Sequence, residues 1–169
     1  MRSIKQDGSA PLDKTDIQKI LTQHIPYRML LLNSGVRSPA TPPTLLTSQA
    51  FEAGVLSGRI LLSFMGLGCD SSTGLLRADQ RRSERYSLTD DVKAPDVGGR
   101  FIEPLELAED EKKILSKFIQ GAHKACAHFT INSDHQLNSH LYAEAGAIIF
   151  RLMGNALPSY VENMPKWSN

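Results

Sequence analysis

At 169 residues and 18.6 kDa the chain is long enough for one domain with a sizeable core. Its net charge of +1, with 22 % charged and 41 % hydrophobic residues, leaves no global field to recruit nucleic acid or an anionic membrane. Two cysteines, Cys69 and Cys126, make no disulfide framework and no CxxC pair.

Residues 1–12 are polar and are expected to form a flexible tail. The N-terminus has no apolar signal-peptide core, so a cytoplasmic location is expected. One helical domain is assigned to residues 13–164, with a second tail at 165–169. "TDIQ" at 15–18 reads as a capping box with Thr15 as cap. The helix it opens meets Pro26, which has no amide proton, and must kink or restart there before stopping at Asn33-Ser34-Gly35.

A second helix is expected from about Thr44 to Gly66 or Gly68. It is apolar or small nearly all the way round, the pattern of a buried central helix. Ala50, Gly54 and Gly58 recur every four residues, which lets a neighbouring helix approach closely; a homodimer seam is the alternative use of that face. Ser48, Glu52, Arg59 and Ser63 fall within about 60° of one another and form its one polar stripe. Glu52 and Arg59 on this stripe are expected to be enclosed with partners, Arg59 being held by Glu52 or by an acid from 90–111; a strip of solvent exposure is the alternative.

Residues 69–108 form a long irregular excursion, of the kind often associated with function. A short helix is expected at about Leu75–Tyr86, where Arg77, Arg81 and Arg85 would stack on one face as phosphate-binding candidates. The eight acids between 90 and 111 favour intramolecular pairing over nucleic-acid binding. "RFIEPLEL" is the best extended segment, interrupted by Pro104.

A third helix covers about Ala108–Phe129. Its acidic first turn suits the positive end of the helix dipole. A fourth opens at "SDHQ" with Ser133 as cap and carries a stripe of Leu137, Leu141, Ala145, Ile148 and Leu152. The fold class is therefore all-α: a single-domain bundle of four main helices, with the excursion between helices 2 and 3.

Four of the five histidines lie in residues 121–140. His123 and His128 diverge by about 140° on one helix and do not converge on an ion. No metal site and no cofactor are assigned. The motifs for phosphate loops, dinucleotide folds, zinc proteases and serine-hydrolase elbows are absent. The leading expectation is a protein-interaction or homo-oligomeric module, with no membrane association. The alternative is a small-molecule binder or enzyme, with Glu52, Arg59 and His123 as polar groups between the central helix and the 69–108 loop.

Overall fold

The structure is a computed structural model, and it describes residues 12–36, 45–79, 91–127 and 139–158. The described chain is mostly helical. Helix α1 (Lys14–Lys19) runs through a π turn (Ile20–His24) into α2 (Ile25–Val36), and α3 (Leu45–Phe64) follows. An antiparallel hairpin of β1 (Leu67–Cys69) and β2 (Leu76–Ala78) comes next, in the register Leu67 to Ala78. Two 3-10 turns, Ala94–Val97 and Pro104–Glu106, precede α4 (Glu109–Ala127) and α5 (Ser139–Ala156).

The first helix starts earlier than the sequence implies. Asp13, not Thr15, is the cap, and its Oδ1 accepts from Asp16 N at 2.7 Å. Pro26 produces neither a stop nor a restart. The preceding turn widens to π geometry, with Ile25 N donating to Ile20 O. Such widening relieves the contact a proline ring makes with the carbonyl four residues back.

The small-residue face of α3 packs within the chain. An added Cβ at Gly54 would lie 3.0 Å from Leu31 O, and one at Gly58 2.7 Å from Phe118 Cζ. Without side chains there, α2 comes close to α3, and Tyr142 from α5 drives its phenol into the gap. The phenol donates to Leu32 O at 2.6 Å, and the ring packs against Phe51 and Phe118 at 5.0 and 6.0 Å. Burial pushes the Tyr142 phenol well above its ordinary pKa.

The stripe on α5 is rotated from the expected one. Tyr142, Ala145, Ile149 and Leu152 are buried, whereas Leu141 and Ile148 are half-buried. On α4, Leu115, Phe118, Ile119 and Ala122 are buried as their spacing requires, and Glu111 reaches back to Ala108 N at 3.1 Å. Leu137 and the Ser133 cap lie outside the described residues.

Strands replace the helix expected at Leu75–Tyr86, as far as that segment is described. Leu76–Ala78 pairs with Leu67–Cys69, and Asp79 N donates to Gly66 O at 2.9 Å. The helical spacing could not compete with a turn in which Asp70 Oδ1 accepts from Ser72 N, Ser72 Oγ and Thr73 N. "RFIEPLEL" is not a strand. Ile102 N donates to Met65 O and Arg100 N to Ala156 O, both at 3.0 Å, so this segment ties the ends of α3 and α5 together.

Candidate functional site

Two of the clefts among the described residues hold the candidate groups. The first, of about 590 Å³, lies between the α1–α2 helix, the C-terminal half of α3 and residues 91–93. Its walls are largely apolar, with Ile20, Leu56, Ile60 and Phe64 among them. The charged groups on it are Arg28, Arg59, Lys93 and Asp91, three cations against one acid, with His24 beside them.

Lys93 is the residue that sequence reasoning missed. Its side chain is only 3 % exposed. It sits just before the 3-10 turn, which fixes its backbone: Lys93 N donates to Asp96 Oδ2 at 2.7 Å, and Asp96 N to Lys93 O at 2.9 Å. From there Nζ reaches Ser63 O at 3.4 Å, Ser63 Oγ at 3.3 Å and Asp91 Oδ2 at 3.8 Å. Ser63 Oγ in turn donates to Asp79 Oδ2 at 2.9 Å. The polar end of α3 is thereby tied to the excursion at two places, Asp79 and Lys93. A charge this deep needs partners, and these contacts supply them. The available signal was an isolated lysine among acids ahead of Ala-Pro. Its burial followed from the turn and from Ser63, which are far apart in sequence.

The polar stripe on α3 divides along its length. Glu52 is exposed and does not line the cleft, whereas Arg59 is half-buried and lines it together with Ser63. Asp91, from the acidic segment, stands in the same cleft as Arg59.

The second cleft, of about 900 Å³, lies between the 70–75 turn and α4. His123 is here, exposed, and therefore in a different cleft from Arg59. Much of the polar chemistry in this cleft is internal. Gln120 Nε2 donates to Gly74 O at 3.0 Å and to Cys69 Sγ at 3.6 Å, and Ser116 Oγ donates to Gly74 O at 2.7 Å. Lys112 pairs with Glu109 at 2.7 Å. The Ser72 hydroxyl, with the Thr73 and Ser72 amides, holds the Asp70 carboxyl well below the usual carboxylate range.

Of the arginine candidates, Arg77 sits in β2, with Nε 3.4 Å from Asp70 Oδ2. A strand does not place residues four apart as a helix does, so the expected helical stack does not include it. Arg81 and Arg85 lie outside the described residues, as do His128 and His135. His140 is exposed in the first turn of α5, 3.6 Å from Glu144. Among the described residues no group of three or more His, Cys, Asp or Glu side chains is placed to hold a metal ion. No helix among them is long and apolar enough to cross a membrane. Comparison with protein-family models, with curated proteins and with solved structures finds no match to this chain.

Proposed function

We propose that the chain is a binding domain whose recognition site is the first cleft, taking an apolar group that carries a negative charge. The observation behind this reading is the combination of a largely apolar wall with Arg28, Arg59, Lys93 and Asp91 as the charged groups among the described residues that line it. Apolar clefts with a few placed polar groups are the usual form of small-ligand sites, and about 590 Å³ falls within their size range. Guanidinium groups suit a carboxylate, which they contact through two parallel hydrogen bonds.

Ser63 Oγ donates to Asp79 Oδ2 and accepts from Lys93 Nζ, so the serine, the lysine and the aspartate form one internal network beside the cleft. The oligomeric reading draws on a separate observation. Tyr27 and Leu30 on α2, and Leu56 and Ile60 on α3, are 38–55 % exposed.

Titration calorimetry with decanoate, decanol and decyltrimethylammonium tests the ligand class. Decanoate should bind at least about tenfold more tightly than the other two, a preference that Arg59→Met removes. Equal binding of the alcohol and the carboxylate would reject the charge assignment.

A further inference from the structure

The cations of the first cleft are not equally engaged. Lys93 is enclosed, and its Nζ is shared among Ser63 O, Ser63 Oγ and Asp91. Arg59 also interacts within the chain. Arg28 differs. It is half-buried and lines the cleft, yet among the described residues it makes no ion pair and no hydrogen bond. Its guanidinium carbon stands over the ring of its neighbour Tyr27, 5.6 Å from the ring centre. A guanidinium held over a ring is steadied there and keeps most of its N–H groups available to donate. His24 lies four residues before Arg28, and residues at that spacing share a helix face. It too lines the cleft, and it has no hydrogen-bond or ion-pair partner among the described residues. An imidazole carries an N–H donor whether neutral or protonated. Ile20 and Ile25 stand on the same wall and give these donors an apolar surround.

We infer that Arg28 and His24 are the groups that meet the ligand's negative charge, on the α1–α2 wall of the cleft. Arg28 offers two parallel N–H groups to the two oxygens of a carboxylate, and His24 offers one donor from the next turn. A half-buried cation beside apolar walls has lost part of its hydration, so a counter-charge is worth more to it than to a cation that already has one. Arg59 adds its charge from the α3 wall, and Lys93 holds residues 91–93 in place without touching the ligand. The inference rests on the cleft being a site for an apolar group that carries a negative charge. It assigns the reading of that charge to two residues of one helix face.

Calorimetric titration of the full chain with decanoate and with decanol tests the assignment. Arg28→Met should weaken decanoate at least about tenfold and bring it level with decanol, while decanol itself changes by less than about threefold. Arg28→Lys keeps the charge but not the fork, and should leave decanoate between the parent and Arg28→Met. His24→Ala should weaken decanoate about threefold and leave decanol unchanged. Melting curves accompany each variant; His24 is exposed, so His24→Ala tests the contact without disturbing a packed wall. A preference for decanoate that survives Arg28→Met, or that is indifferent to His24→Ala, overturns the inference. If that preference is instead lost in Arg59→Met, the cleft keeps its ligand class and only the assignment to Arg28 and His24 falls. If the parent chain binds decanoate no better than decanol, the reading of the cleft fails and the inference falls with it.

Discussion

Helix α3 has two sides that behave in opposite ways. On one side Gly54 and Gly58 leave no side chain, and neighbouring helices close in until an added Cβ at Gly54 would lie 3.0 Å from the backbone oxygen of Leu31. On the other side Leu56, Arg59, Ile60 and Ser63 stand along a cleft of about 590 Å³. The difference shows how one helix can supply both a closed packing surface and one wall of an open cleft. Small residues allow backbones to approach, and dispersion contacts accumulate at short range. The cleft side carries larger side chains and charged groups, and the deepest charge, Lys93, is held by Ser63 and Asp91.

The largest test of the comparison is to put bulk on the closed side. Gly54→Leu must displace the Tyr142 phenol and part α2 from α3. A stability loss of about 3 kcal/mol or more is expected by urea unfolding, with the phenol's hydrogen bond to Leu32 O broken. A loss below about 1 kcal/mol would mean that the close approach is not a constraint.

A change at the open side should cost less. Lys93→Met keeps the length and burial of the side chain but removes the ammonium from Ser63 and Asp91. Asp91 is itself 22 % exposed, so solvent compensates in part, and a loss of about 2 kcal/mol is expected by the same measurement. A variant as stable as the parent would show that the amine has no part in tying residues 91–93 to α3.

The smallest effect should have the opposite sign. Ser57 lies beside Gly58 and is fully buried, and its hydroxyl has no hydrogen-bond partner among the described residues. Ser57→Ala keeps the face small and removes an unpaired polar group. It should stabilise the chain by about 1 kcal/mol, read as a higher urea midpoint at unchanged slope. A destabilised Ser57→Ala would reveal a partner for that hydroxyl and show the closed side to be less dry than its packing implies.

Much of the architecture is written in local pattern. The glycine spacing on α3 identifies the close-packed face, and the apolar spacing on α4 identifies Leu115, Phe118, Ile119 and Ala122 as core. The acidic first turn of α4 marks its start to within one residue. These features repeat at the period of a helix, so they can be read without knowing what lies opposite. The stripe on α5 could not be fixed in this way. Residues 141 to 153 are apolar on two overlapping faces, and the choice fell to the one on which Tyr142 finds Leu32 O as an acceptor.

The sequence by itself determined a mainly helical chain, the close-packed glycine face of α3 and the presence of Arg59 on its polar stripe. The burial expected all round α3 does not hold, since Leu46, Leu56 and Ile60 are exposed. Tertiary structure alone decided where each candidate group went. Arg59 entered a cleft with Asp91 and Lys93, His123 went to a second cleft beside the 70–75 turn, and Glu52 remained in solvent. The excursion was read least well, because its form depends on contacts between residues distant in the chain. Its hairpin is set by strand pairing and an aspartate-centred turn, and Lys93 is buried by Ser63, thirty positions away. Helical periodicity is a property of a segment, whereas the burial of a charge depends on every group that surrounds it.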